Sequence, residues 1–245
     1  MHETLLWEIG GLTFHGKTLV MTWIVMAIII VFVLSGVRNL TSGKPGKMQN
    51  ILEWMVDFVR KIISDNMDYK KGKPLLGYLI TLILFVFVSN VFGLLPNLTF
   101  GIFNNIEFAK LNEIFEGALL MSPTADVNTT LALGIMTMGW VVYMGIKNKG
   151  AGYFRHFIEP NPLFFLIHVI DFISKPMTLA FRLFGNIYAG EVLLAVILMV
   201  PGYFVLGMVV PDAIWLGFSV FIGAIQAFVF TVLTTAYVAQ AVVDD

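Results

Sequence analysis

The sequence lacks cysteine and contains little charge. None of its 245 residues is cysteine, which excludes disulfide bonds, thiolate zinc sites and cysteine nucleophiles. Charged residues make up only 13% of the chain, whereas a soluble domain is about one quarter charged. Hydrophobic residues make up 58%. We therefore expect a polytopic membrane protein surrounded by a lipid bilayer, with no nucleic-acid partner, no cofactor and no metal site.

Long runs without charged residues locate the membrane spans, because a helix crosses the hydrocarbon core in about 20 residues. We predict an all-α fold with a single membrane domain over residues 1–245, five crossings and an interfacial amphipathic helix. The predicted segments are an outside N-terminus (1–17), a span (18–37), a cytoplasmic segment (38–73) with an amphipathic helix (47–66), a span (74–95), an outside loop (96–126), a span (127–146), a cytoplasmic loop (147–160), a long tilted helix (161–200), an outside turn (201–211) and a second long tilted helix (212–243). The first residues lack the basic region of a cleaved signal, so the first span is expected to be retained.

Lysine and arginine are unevenly divided between the loops, which predicts the orientation of the chain. Eleven of them lie in segments 38–73 and 147–160, whereas only Lys17 and Lys110 lie on the other side. Because positively charged loops remain in the cytoplasm, we expect the N-terminus outside and the C-terminus inside.

Residues 47–66 show helical periodicity with charges of both signs on one face. The apolar stripe consists of Ile51, Leu52, Met55, Phe58, Val59, Ile62 and Ile63. Such a helix is suited to lying in the membrane interface, and packing against the protein's own loops is an equally good interpretation.

The last two apolar segments are too long for simple crossings. As one helix, residues 161–200 would extend roughly 60 Å, whereas the hydrocarbon core is about 30 Å thick. Residues 212–243 would reach roughly 48 Å. Either these helices break, for example at Pro176, or they form a strongly tilted antiparallel hairpin. A tilted hairpin requires a partner surface, since lipid alone does not favour it.

The first of these segments contains charges that are expensive in a membrane. An arginine near the bilayer centre costs about 2.5–3.5 kcal/mol on insertion scales, so Arg182 is expected to be functional. At 100° per residue, Asp171, Lys175 and Asn186 fall on the same helix face as Arg182, together with Thr178. Glu191 lies nine residues beyond Arg182, about 180° round the helix, which argues against a simple ion pair between them.

The last helix has a matching polar seam. Ser219, Gly223, Gln226 and Tyr237 recur at helical spacing and share one face. From this seam, the amide of Gln226 can hydrogen-bond Arg182 across the hairpin.

Structural interpretations apply to several of these polar residues. Lys175 is close enough to the cytoplasmic end of its span to extend its ammonium into water, and Asp171 is either interfacial or paired with Lys175. The alternative for Glu191 is a capped structural acid. Asp126 and Asn128 begin the third span, where Asp126 either caps the helix or lines a water entry.

The polar motifs resemble those of subunit a of the F-type ATP synthases, the stator half of the Fo proton channel. The similarity lies in Arg182-Leu183-Phe184-Gly185-Asn186, Tyr188-Ala189-Gly190-Glu191, Gln226-Ala227-Phe228 and Tyr237, and also in Ser174-Lys175-Pro176, Pro45-Gly46-Lys47 and Ala125-Asp126-Val127-Asn128. These motifs follow in order along essentially the whole chain.

The resemblance implies a proton-translocating stator subunit in a bacterial plasma membrane, which is not an enzyme by itself. Its implied partners are the rotating ring of c subunits, the b subunits of the peripheral stalk and the rest of the ATP synthase. Arg182 is then the essential arginine that faces the carboxylates of the ring. Asn186 and Glu191 line the proton path, Gln226 lies beside Arg182, and Ser219, Tyr237, Asp126 and Asn128 are further candidates for that path. Several bacterial members carry histidine where this chain has Ser219, so relay around Glu191 would rely on water or on Ser219.

Two other functions are compatible with an apolar chain of this kind. A secondary ion transporter would show inverted repeats and paired intramembrane acids, and the sequence has neither feature. A purely structural membrane subunit would not need Arg182. Sodium ions remain an alternative to protons, because the ion site of the rotor determines which ion is carried.

Overall fold

The computed structural model describes residues 6–9, 12–38, 40–41, 43–93, 122–150, 152–155, 164–199 and 205–242. Helices make up most of this part of the chain. They are α1 (Gly16–Val37), α2 (Lys47–Asn66), α3 (Tyr69–Gly72), α4 (Leu76–Phe92), α5 (Val127–Lys149), α6 (Gly152–Arg155), α7 (Phe164–Met199) and α8 (Val205–Val242), with short 3-10 turns at Lys73–Leu75 and Pro123–Ala125. Most of the predicted outside loop 96–126 lies outside the described residues.

A short β hairpin precedes α1, so the prediction of an all-α chain needs one correction. Strand β1 (Leu6–Ile9) pairs antiparallel with β2 (Leu12–His15), with Leu6 opposite His15 and Ile9 opposite Leu12. The sequence between the strands is Gly10-Gly11, a dipeptide typical of tight hairpin turns. This turn signal lies in the predicted N-terminal segment, where the charge pattern alone does not distinguish a strand from a loop.

Four stretches of the described chain are long and apolar enough to cross a membrane: Gly16–Val37, Tyr69–Phe92, Val127–Lys149 and Ile214–Val242. Such stretches agree with a membrane protein, since a helix satisfies its backbone hydrogen bonds internally in lipid.

Helices α7 and α8 are both unusually long. Helix α7 has 36 residues and continues through Pro176, so of the two predicted alternatives the break at this proline is not present. Helix α8 has 38 residues and already begins at Val205, so the predicted turn 201–211 is helical from Val205 onward. The stretch Val205-Leu206-Gly207-Met208-Val209-Val210 is apolar, and in lipid a helix is the favoured way to satisfy its backbone groups.

Helix α2 divides its apolar stripe between two environments. Val59, Ile62 and Ile63 are buried and contact the body of the protein. Ile51 of the same stripe is 48% exposed, whereas Leu52 lies against Gly36 of α1 and Met55 packs against the core cluster around Val25. Most of the stripe therefore packs against the protein, and Ile51 presents an apolar side chain outward.

The main core lies among α4, α5, α7 and α8, with the end of α2 against it. Its largest fully buried members include Leu79, Met144, Leu183 and Phe230. At the end of α5, Tyr153 of α6 lies against Gly145, and burial raises the pKa of its hydroxyl. Within the described residues, α7 packs more extensively against α5, and α8 against α4, than α7 and α8 pack against each other.

A glycine allows α5 to approach the backbone of α7 at Pro176. A methyl group added at Gly134 would lie 2.6 Å from the carbonyl oxygen of Pro176, closer than van der Waals contact permits. Small residues at such crossings are the usual means by which membrane helices come close together. The close contact therefore ties the proline of α7 to α5.

We expect Gly134→Ala to destabilise the chain by about 1–3 kcal/mol, because the added methyl must push the two helices apart. The matched control is Gly139→Ala on the same helix, where an added methyl meets no atom within 4 Å. This control is expected to be neutral or stabilising by up to about 1 kcal/mol, because alanine favours helix more than glycine does. Thermal unfolding of both variants in lipid nanodiscs measures the difference, and equal melting temperatures would contradict the close contact.

Candidate functional site

Arg182 lies on the exposed side of α7, near its boundary with the buried side. The side chains of Thr178, Ala189 and Arg182 itself are exposed, and Phe181 is 49% exposed. Leu179 and Leu183, about 60° and 100° round the helix, are fully buried. Among the described side chains, no carboxylate forms an ion pair with Arg182. The structure therefore leaves a permanent cation on an outward-facing and largely apolar surface.

Asn186 and Gln226 form the polar contact between α7 and α8 at the level of Arg182. The Nδ2 of Asn186 donates to the Oε1 of Gln226 at 3.1 Å, and Gln226 is only 4% exposed. The sequence predicted a bond from Gln226 to Arg182 instead. Asn186 lies about 40° round the helix from Arg182, at the edge of the buried side. Its short side chain therefore reaches Gln226, so Gln226 bonds Asn186 instead of Arg182.

A second polar contact joins α7 and α8 about two turns from Arg182, around Lys175. Its Nζ lies 2.8 Å from Asp171 Oδ2 and donates to Gln240 Oε1 at 3.2 Å. The same ammonium lies 5.3 Å from the ring centroid of Tyr237. The predicted pairing of Asp171 with Lys175 is therefore present, and the pair also reaches α8. Lysine is held here between two helices instead of pointing freely to water.

The remaining candidates in α7 and α8 occupy different surroundings. Ser219 and Tyr237 are half-buried, and Gly223 and Gln226 are buried, so the predicted polar seam turns inward in its middle. Glu191 lies within α7, and its side chain is outside the described part of the structure. Its role as an ion-path residue or a structural acid stays a prediction.

Asp126 is the N-cap of α5. Its Oδ1 accepts from the backbone N–H of Asn128 at 2.8 Å, and its Oδ2 accepts from the hydroxyl of Thr18 at 3.1 Å. Both carboxylate oxygens therefore hold the start of α5 in place, as the capping interpretation predicts. Asn128 is exposed beside it.

Sequence reasoning missed a buried polar cluster next to Gly223. Asn90, Ser122 and Thr124 are at most 7% exposed and are joined by hydrogen bonds. The available signal was the adjacent pair Ser89-Asn90 near the end of a long apolar run, where two polar side chains require partners. Their partners are distant in sequence, so periodicity does not reveal them.

The described residues contain no group of three or more His, Asp or Glu side chains placed to hold a metal ion. The chemistry that these residues can supply is that of one fixed cation, a carboxamide pair and a few hydroxyl and carboxylate groups. This set is able to attract, orient or exclude an ionisable partner. It does not form a nucleophile–base arrangement.

Comparison with known proteins agrees with the motifs. The family model described as ATP synthase A chain matches residues 19–239. ATP synthase subunit a of Desulforamulus reducens is 38% identical over 237 residues, covering 96% of this chain and 82% of the relative. The subunits a of Bacillus pumilus and Lysinibacillus sphaericus are 36% and 38% identical over 256 and 250 residues, covering all of this chain and 99% of each relative.

The predicted family is thereby confirmed along essentially the whole chain, and it fits a membrane protein that takes part in ion transport and ATP synthesis. The chain belongs to the ATP synthase A chain family, the family of bacterial ATP synthase subunit a.

Proposed function

We propose that this chain is the proton-translocating stator subunit of the Fo sector of an ATP synthase and not an enzyme by itself. Its partners are the ring of c subunits, the b subunits and the remaining subunits of the complex. The observation that carries the proposal is the position of Arg182: a guanidinium on an exposed, largely apolar helix face, with no paired carboxylate among the described side chains. A membrane protein gains from such a charge only when a partner of opposite charge meets it.

The surfaces beside Arg182 suit a moving apolar partner. On α7, Met177, Phe181 and Tyr188 are 41–56% exposed, and on α8, Ile225 next to Gln226 is 40% exposed. Neither helix offers the partner a rigid hydrogen-bonding pattern here. A ring of helices that carries one carboxylate per subunit can slide along such a face and stop only where its charge meets Arg182.

The physics of the guanidinium defines its part in the mechanism. Arginine stays protonated in proteins, so it cannot pass protons on, but it favours the ionised form of a carboxylate that faces it. A rotor carboxylate therefore releases its proton beside Arg182 and takes up another before it enters the lipid. Direct passage of protons across the stator is blocked by the same charge. Each proton that crosses supplies about 2.3 kcal/mol per 100 mV.

Two offset half-channels supply and remove the protons. We assign Glu191 and Ser219 to the outer one, and Asn186 and Gln226 to the region where the rotor carboxylate meets the stator. The hydrogen bond between Asn186 and Gln226 supports this assignment, because it uses one amide hydrogen of Asn186 and leaves its carbonyl oxygen available to orient Arg182. Tyr237, Asp126 and Asn128 are the further candidates. Asp126 caps the start of α5, and this contact supports a structural role for the residue at the proposed water entry.

The long helices suit a tilted hairpin. At about 1.5 Å per residue, α7 and α8 extend roughly 54 and 57 Å, nearly twice the thickness of the hydrocarbon core. Since α7 is continuous, a steep tilt is the way for it to fit, and α7 then supplies the fifth crossing. In this arrangement the N-terminus lies outside a bacterial plasma membrane and the C-terminus lies in the cytoplasm.

We expect Arg182→Ala to lower proton-driven ATP synthesis by at least about 100-fold, because the positioned charge that stabilises the ionised carboxylate is lost. The measurement is ATP synthesis in membrane vesicles under an imposed proton gradient, normalised to the amount of assembled complex. Thr178→Ala, an exposed substitution one turn away on the same face, is the matched control and is expected to retain the wild-type rate. Normal synthesis by a fully assembled Arg182→Ala complex would favour a purely structural subunit.

Cross-linking tests the proposed partner, since the chain has no cysteine to give background reaction. Single cysteines at Phe181 and Ile225, both on exposed helix faces, are expected to cross-link to cysteines introduced into the rotor subunit. The control is Trp23→Cys on α1, which is 62% exposed and lies on a helix that we do not place at the rotor. Equal cross-linking from all three positions, or none from α7 and α8, would rule out the proposed docking face.

A further inference from the structure

A chain of buried hydrogen bonds ends on the backbone of α8, one turn from Gln226. Thr124 belongs to the 3-10 turn before α5, Ser122 is the N-cap residue of that turn, and Asn90 belongs to α4. The hydroxyl oxygens of Ser122 and Thr124 lie 2.8 Å apart. Thr124 Oγ1 donates to Asn90 Oδ1 at 3.0 Å, and Asn90 Nδ2 donates to the Gly223 carbonyl at 3.3 Å. Ser122 and Thr124 are 2% and 0% exposed, and Asn90 is 7% exposed. The bond between Asn90 and Gly223 joins residues that are 133 positions apart in the sequence.

The direction of this chain follows from counting protons. The carbonyl of Gly223 can only accept, so the amide of Asn90 must turn its NH₂ group toward α8 and its oxygen toward Thr124. The single hydroxyl proton of Thr124 is then committed to Asn90. Ser122 also has a single hydroxyl proton, which it donates to the carbonyl of Ser89 at 2.9 Å, so its 2.8 Å contact with Thr124 shares that proton. The side chain of Asn90 is held in one orientation, because a flip would place its oxygen against the carbonyl of Gly223.

Two glycines bring the backbones close enough for these bonds. A methyl group at Gly223 would lie 3.1 Å from the Cβ of Asn90, and a methyl group at Gly93 would lie 2.6 Å from the Cβ of Ser122. The first distance is tight, and the second is shorter than real Cβ contacts allow. Asn90 therefore packs directly against the backbone of α8 at Gly223.

We propose that Asn90 is a positioning residue that sets the height and rotation of α8 and thereby holds Gln226 in bonding distance of Asn186. Gly223 precedes Gln226 by three residues, which is about 4.5 Å along the helix and about 60° round it. A shift at Gly223 therefore moves Gln226 by nearly the same amount. The inference rests on the proposed function, in which Asn186 and Gln226 act where the rotor carboxylate meets the stator.

The direct test measures the position of α8 in the full-length chain in lipid nanodiscs. Spin labels on cysteines introduced at Trp23 and Phe228 report the distance from α1 to α8, and labels at Trp23 and Phe181 report the distance from α1 to α7. With Asn90→Leu, we expect the first distance distribution to shift or broaden and the second to stay unchanged. An unchanged distribution between Trp23 and Phe228 overturns the proposal.

Activity gives a second measurement in the assembled complex. Asn90→Leu is expected to lower proton-driven ATP synthesis roughly 10- to 100-fold per complex, as small misplacements of reacting groups do. In a chain that already carries Gln226→Leu, Asn90→Leu should lower the rate of ATP synthesis little further, because both substitutions disrupt the same contact between Gln226 and Asn186. Thr124→Val should act in the same direction and more weakly, with Thr124→Ser close to wild type. These milder variants carry the test if Asn90→Leu fails to assemble.

The matched control is Thr130→Val. Thr130 is also fully buried, but among the described residues its hydroxyl bonds only to Val127 of its own helix, so neither distance nor rate should change. A lower rate without movement of α8, movement of α8 without a lower rate, or multiplied effects in the Gln226→Leu background would each overturn the positioning role. Failure of the proposed function is recognised separately, because Arg182→Ala would then retain ATP synthesis.

Discussion

The charge of Arg182 is the constraint on which the rest of this structure depends. A guanidinium cannot lose its proton, and in lipid it costs several kcal/mol unless a partner or water meets it. The chain surrounds Arg182 with an exposed face and no described acidic side chain paired to it, while burying Leu179 and Leu183 immediately beside it. Because the exposed side of α7 carries the charge, the helix must be held through contacts on its buried side. Helix α5 provides this support where Gly134 meets Pro176.

The two long helices are held mainly by other helices. Helix α7 is packed against α5, and α8 is packed against α4, whereas direct polar contacts between α7 and α8 include Asn186 with Gln226 and Lys175 with Gln240. Because α7 packs against α5 and α8 packs against α4, the outward faces of α7 and α8 stay uncovered. It also means that the relative position of Asn186 and Gln226 depends on contacts made on the far sides of their helices, such as that of Asn90 with Gly223.

Local patterns predicted the parts of the structure that local physics controls. The apolar stripe of residues 47–66 indicated a helix, and α2 occupies Lys47–Asn66. The spacing of Asp171 and Lys175 allowed their pairing, and the structure contains it. Length alone did not decide between a break at Pro176 and a continuous helix, because a proline is tolerated when neighbouring helices support the backbone. The bond of Asn186 to Gln226 and the cluster around Asn90 depend on how helices approach each other, and that information is not in the periodicity of either helix.

The contact between Asn90 and Gly223 also orders the biogenesis of the chain. A ribosome makes the N-terminal part first, so Asn90, Ser122 and Thr124 are synthesised and inserted about one hundred or more residues before Gly223 exists. Until the last helix arrives, the amide of Asn90 has no acceptor on α8. The newly inserted α4 therefore carries a buried donor whose acceptor is supplied by the last helix. The bond between Asn90 and Gly223 can form only after α8 has been inserted beside α4.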